Sequence, residues 1–225
     1  MERKTAFIKS LPVMAGYITL GIGFGLVYTS AGLSPLVAIM FSLFVYAGSM
    51  QYVSVSLIAN SASPISMILM TLGVNLRHVF YSISMLGKYN NTGRYKGYLI
   101  FGLTDETFSI VCNEAPEGLD APKYYFYLTI FNQSYWVLGT VLGVVLQEIV
   151  NIPFEGVDFS MTALFLVTFT DQILNHKSLG ASALGIIIPA LCLVFFGSSS
   201  FLIPSLLIIS LVLCSVIILE EKNEK

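Results

Sequence analysis

The sequence predicts an all-α fold: a polytopic integral membrane protein of about seven or eight transmembrane or partly re-entrant helices. Three observations predict it. Of 225 residues, 56% are hydrophobic and only 11% charged, whereas soluble domains carry about a quarter charged residues. Mean hydropathy is +0.81. Apolar runs approaching the roughly 20 residues that a spanning helix needs recur along the chain. They are separated only by short polar stretches such as SAGLSP, NSASP and KYNNTGRYK. No such stretch is long enough for a soluble domain, so residues 1–225 are expected to form a single transmembrane domain.

The same composition excludes several classes of function. The net charge is only −2, with no basic face for nucleic acid. Cys112, Cys192 and Cys214 are far apart in apolar surroundings. They read as small buried hydrophobes, with neither a disulfide framework nor a metal spacing. Two histidines, His78 and His176, are too few for a histidine-rich metal site. No Walker A, H-E-x-x-H, G-x-S-x-G or C-x-x-C pattern is present, so no ATP motor, no soluble-type hydrolase and no cofactor is expected.

Taken in order, the first apolar segment (11–29) follows a basic start, MERKTAFIKS. It runs past signal-peptide length, so an uncleaved segment with a cytoplasmic amino terminus is expected. Its stretch GYITLGIGFGLVYTSAG holds Gly16, Gly21, Gly23, Gly25 and Gly32. Gly21 and Gly25 form a G-x-x-x-G face suited to close helix packing. The competing expectation is a locally unwound helix whose freed backbone meets a substrate, with Gly23 adding flexibility.

The second segment (36–59) carries YAGSMQY, in which Gly48, Ser49 and Gln51 interrupt the apolar run. Interhelical hydrogen bonds, each worth about 1 kcal/mol, are one reading. A polar notch lining a substrate path is the other.

The third segment (64–86) contains GVNLRHVF, with Asn75, Arg77 and His78. Between Pro64 and Lys88, Arg77 falls near mid-depth at about 1.5 Å per residue, where a charge costs about 3 kcal/mol. Either end is too distant for snorkelling, so Arg77 requires a buried partner. His78 points about 100° away on the helix and reads either as a proton relay or as a neutral hydrogen-bonding group.

The fourth segment (97–113) is short, and it holds Asp105 and Glu106 flanked by Thr104 and Thr107. The hairpin before it is short, so an Arg77–Asp105 or Arg77–Glu106 pair is expected. Such a pair can merely fix helix register, but ionisable residues at depth are functional by default. This segment is the weakest crossing, which leaves the count at seven or eight.

Segments at 124–147, 159–175, 179–197 and 200–219 complete the chain. Asp171 in TDQILNH reads as a solvated helix end. With both ends cytoplasmic, Arg3, Lys4, Lys9, Lys123, Lys177, Lys222 and Lys225 lie inside and Lys88, Arg94 and Lys96 outside. An ungapped likeness between 43–61 and 164–182 raises an internal repeat, the duplicated architecture common in secondary transporters. Chance resemblance between apolar stretches explains it equally well.

Several of these stretches resemble one known family. GIGFGLVYTSAGLSPLVAIMFSLFVYAGSMQY, GVNLRHVFYSIS and FGLTDETFSI, with GVDFSMTALF after the central loop, are similar to the AzlC family. That family is the large subunit of bacterial branched-chain amino acid exporters. The resemblance implies a multi-pass protein of the bacterial inner (cytoplasmic) membrane that works with a small hydrophobic AzlD-type subunit. It further implies export of leucine, isoleucine and valine, or of methionine and analogues, driven by the proton-motive force. The motif positions in this chain are Gly21, Gly23, Gly25, Gly48, Ser49, Gln51, Asn75 and Arg77 as substrate-binding candidates. Asp105, Glu106 and His78 are the ion-coupling or ion-pair candidates, flanked by Thr104 and Thr107.

The chemistry of these residues fits a zwitterionic substrate. Arg77 can offer a bidentate fork to a carboxylate, and Asp105 or Glu106 can accept an ammonium group or a proton. An uncoupled channel or facilitator for small zwitterionic solutes is the rival reading. An enzyme is not expected, because adjacent carboxylates diverge on a helix and cannot flank one bond. Self-association into a homo-oligomer is left open.

Overall fold

The computed structural model describes residues 1–150 and 179–197, with scattered positions between 166 and 215. GVDFSMTALF, Asp171, Gln172, His176, Cys214 and most of the second repeat copy lie outside the described residues. Every described element is helical. They are α1 (Glu2–Ser30), α2 (Pro35–Phe44), α3 (Gly48–Ala59), α4 (Pro64–Asn90), a 3-10 turn (Gly93–Tyr95), α5 (Lys96–Phe101), α6 (Asp105–Val111), α7 (Ala121–Val150) and α8 (Leu179–Phe196).

The chain divides into two compact units, Met1–Met67 with Val74–Met161, and Ile68–Gly73 with Thr162–Lys225. The first unit holds the candidate site. In the second, the longest described element is α8, which carries Pro189 within it.

The frame of the first unit is the pair α1 and α7, of 29 and 30 residues. Among the described residues, these two helices are long and apolar enough to cross a membrane. They meet glycine to glycine. A Cβ placed on Gly21 would lie 2.7 Å from the Trp136 carbonyl oxygen and 2.9 Å from the Gly139 Cα. A Cβ on Gly139 would lie 2.6 Å from the Ile18 carbonyl oxygen. Backbone therefore packs on backbone, the small-residue contact that drives helix association in lipid.

Gly23 faces the other way. The Tyr52 hydroxyl of α3 donates to the Leu20 carbonyl at 2.6 Å, and a Cβ on Gly23 would meet that hydroxyl at 2.5 Å. The glycine run thus lets α1 be approached closely on two sides. α1 stays helical throughout it, which corrects the expectation of local unwinding there.

The helix breaks lie elsewhere. The single segment expected at 36–59 is two helices, separated at Val45–Ala47. Both the Val45 and the Tyr46 N–H end on the Phe41 carbonyl, at 2.9 and 3.1 Å, and Tyr46 turns the chain with φ 46°. A left-handed tyrosine is unfavourable. Its ring is held by burial, with only 3% of Tyr46 exposed. The end of α2 also has its own partners. Gln133 of α7 donates to the Leu43 carbonyl at 2.9 Å, and its oxygen accepts from the Tyr98 hydroxyl.

The second break separates α5 from α6 at Gly102–Thr104. Thr104 is the N-cap of α6, and its hydroxyl oxygen accepts from the Thr107 N–H at 3.3 Å. Asp105 and Glu106 form the first turn, where carboxylates complement the helix dipole. They therefore open a short helix, a correction to their expected place mid-way along a continuous segment. α5 and α6 have six and seven residues, each about 10 Å long.

α4 holds α6 along its length. Tyr81 stacks on Phe108 with ring centroids 4.5 Å apart. At the C-terminal end, the Lys88 ammonium donates to the carbonyls of Val111 (3.3 Å), Asn113 (2.9 Å) and Cys112. It satisfies carbonyls that a helix end leaves orphaned. Lys88 thus clamps the end of α6 to α4.

Candidate functional site

Arg77 and Asp105 form an ion pair between α4 and the first residue of α6. The Arg77 Nη2 also donates to the Ser49 hydroxyl at 2.8 Å. Ser49 lies in the first turn of α3, just past the first break. The pair therefore connects both helix breaks through one guanidinium. About a third of each side chain is exposed, 33% and 31%. Even so, Arg77 Nε and Asp105 Oδ1 are buried and have no hydrogen-bond partner. The pair thus keeps one donor and one acceptor without partners.

Glu106 turns away from Arg77. Its Oε2 accepts a 2.6 Å hydrogen bond from the Tyr17 hydroxyl of α1. That hydroxyl is also 2.6 Å from the Thr104 hydroxyl. The chain of contacts continues from Thr104 to Thr107 at 3.0 Å, and from the Asn132 amide of α7 to Thr107 at 3.0 Å. The Tyr17 ring is edge-on to Trp136 and Tyr46, with centroids 5.5 and 6.4 Å apart. The Tyr46 hydroxyl and Asn132 Oδ1 are buried without partners.

The remaining candidates are placed differently. Gln51 is buried, donating to Ser42 at 3.0 Å and accepting from the Trp136 indole at 3.0 Å. Ser42 in turn meets Thr140 at 2.7 Å. The Gln51 amide is spent on this network between α2, α3 and α7. Gly48 opens α3 where a Cβ would meet the Trp136 ring at 3.3 Å. Gly21 and Gly25 face α7. His78 turns back on its own helix, with Nδ1 3.2 Å from the Asn75 carbonyl and its ring edge-on to Tyr81. A groove lined by Leu43, Tyr98, Phe126, Gln133 and neighbouring α7 residues includes neither Arg77 nor Asp105.

A family model described as AzlC protein matches residues 12–150. The chain belongs to the AzlC family. It is 39% identical over 207 residues to the "Branched-chain amino acid transport protein AzlC" of Bacillus subtilis, covering 92% of this chain and 82% of that one. A protein of Haemophilus influenzae, named an uncharacterized membrane protein, is 39% identical over 93% of this chain and 87% of its own. The "Inner membrane protein YgaZ" of Escherichia coli is 32% identical over 138 residues, 60% of this chain and 56% of its own. No solved structure matches. The AzlC chain is thus a membrane protein, and both helix breaks fall inside the matched residues.

Sequence reasoning missed several residues that build this AzlC site. Tyr17 reads as an ordinary aromatic in an apolar run, and Tyr46 only as an apolar wall, with Phe24 and Met50, for a branched aliphatic side chain. Asn132, Gln133 and Thr140 of α7 were missed too, although FNQSYW places two amides inside a long apolar segment, with Thr140 one turn beyond it. Buried amides require partners, and that requirement was the available signal.

Proposed function

We propose that this AzlC chain is a secondary transporter that exports branched-chain amino acids in exchange for protons. It acts as a multi-pass protein of the bacterial inner membrane, with a small AzlD-type subunit. One observation supports the reading most. Beside their ion pair, Arg77 and Asp105 keep a buried donor at Nε and a buried acceptor at Oδ1. A zwitterionic amino acid supplies the complement of both, an accepting carboxylate and a donating ammonium group. The name of the Bacillus subtilis relative points to the same substrate class.

The surroundings suit this role. Transporters commonly place substrates at half-helix ends near the bilayer midplane. No side chain caps α3, so its first-turn N–H groups and positive dipole end remain available beside Arg77. In this reading α5 and α6, each too short to cross about 30 Å of hydrocarbon, form a re-entrant pair.

Proteoliposomes holding the chain, with and without an AzlD-type subunit, separate exchange from channel behaviour. Vesicles with an acidic lumen are expected to accumulate labelled leucine above its outside concentration. Vesicles lacking a pH gradient are expected only to equilibrate. Equilibration under both conditions would make the protein a facilitator.

A further inference from the structure

We propose that the two adjacent carboxylates divide the work: Glu106 carries the coupled proton, while Asp105 stays the charged partner of Arg77. The inference rests on the proposed function of a proton-coupled amino acid transporter. It follows from how the break before α6 aims the two side chains.

Asp105, the first residue of α6, meets a guanidinium, the natural partner of a carboxylate. Glu106, the second, meets a phenol, which can serve either protonation state. With Glu106 ionised, the Tyr17 hydroxyl donates to it. With Glu106 protonated, the acid donates to Tyr17, and the Tyr17 hydrogen turns to the Thr104 oxygen 2.6 Å away. One proton gained thus reverses one hydroxyl, and no buried group loses its partner.

The reversal is felt at a helix end. Thr104 is the N-cap of α6 and already accepts from the Thr107 N–H. Extra demand on its oxygen competes with that cap, and capping bonds hold a helix start in place. The proton on Glu106 therefore biases the α5–α6 break, on whose far side Asp105 grips Arg77.

The groups within electrostatic reach of Glu106 are Tyr17 from α1, Tyr46 from the α2–α3 break, Arg77 and Tyr81 from α4, and Asp105 beside it. α7 contributes the neutral Asn132 and Trp136. The Tyr46 hydroxyl, buried and without a partner, belongs to the same cluster, its ring edge-on to that of Tyr17.

Two variants in proteoliposomes test the division. Glu106→Gln is expected to retain leucine counterflow, which moves no net protons, and to lose accumulation driven by a pH gradient. If it keeps gradient-driven accumulation, Glu106 does not carry the proton. If it loses counterflow as well, Glu106 belongs to substrate binding and the division is wrong. Tyr17→Phe removes the phenol at little change in volume. Losing one hydrogen bond to a charged group should move the pH of half-maximal driven transport upward by about one unit. An unchanged pH profile overturns the role of Tyr17 as donor to Glu106. Absence of leucine counterflow in the unmodified protein would instead overturn the transport reading itself.

Discussion

Arg77→Ala is expected to abolish leucine export, leaving flux at about 1% of the parental rate or less. The magnitude follows from the contact removed. Charge-assisted hydrogen bonds contribute about 1.5–3 kcal/mol each, and about 2.7 kcal/mol is a hundredfold change. The variant should still reach the membrane, because Asp105 keeps two supports without its partner. It opens α6, where the dipole favours a carboxylate, and about a third of its side chain is exposed. Arg77→Lys sharpens the result. A lysine restores the charge but not the planar fork whose separate nitrogens reach Asp105 and Ser49, so partial recovery at most is expected. Rates of leucine efflux from preloaded cells, normalised to protein in the membrane fraction, read both variants. Parental efflux by Arg77→Ala would remove Arg77 from the site.

Gly139→Val should have the largest effect on folding. Any Cβ at Gly139 meets the Ile18 backbone carbonyl, and Gly21 faces the same seam from α1. Backbone atoms cannot rotate away as a flexible side chain would, so the two longest helices must separate. Overpacking a core costs roughly 1–3 kcal/mol and occasionally more, and a clash with main chain belongs at the upper end. Gly16→Val is the matched control on α1, since a Cβ there has no heavy atom within 4 Å. In detergent, Gly139→Val is expected to lose its monodisperse peak at a temperature well below that of Gly16→Val. Coincident melting of the two would contradict the glycine seam.

The ion pair was legible because depth makes a charge costly. Arg77 in the middle of an apolar run demands an acid, and the short hairpin left Asp105 and Glu106 as the candidates. Choosing between them was not legible. It depends on where α6 starts, and hydropathy averaged over 97–113 shows no start. The signal was present in LTDET, a threonine followed by two acids, the pattern of an N-cap and first turn. The break at Val45–Ala47 left a weaker trace, because the left-handed residue is Tyr46 rather than glycine. Tertiary burial of that tyrosine, with contacts from α7 to the end of α2, holds the turn. GIGFG allowed two readings from the start, since glycine serves close packing and unwinding alike. Gly139 and Gly143 across the seam decide it in favour of packing.

The most direct test of the central claim leaves the protein unaltered and changes the substrate. If Arg77 receives a carboxylate and Asp105 an ammonium group, both ends of the amino acid must be present. Labelled-leucine counterflow into proteoliposomes should be blocked by excess unlabelled leucine, isoleucine or valine. It should continue unimpeded beside the same excess of leucinamide, which keeps the side chain and the ammonium group but lacks the carboxylate. Competition by leucinamide equal to that by leucine would show that the site does not read the carboxylate, and Arg77 and Asp105 would lose their assigned roles.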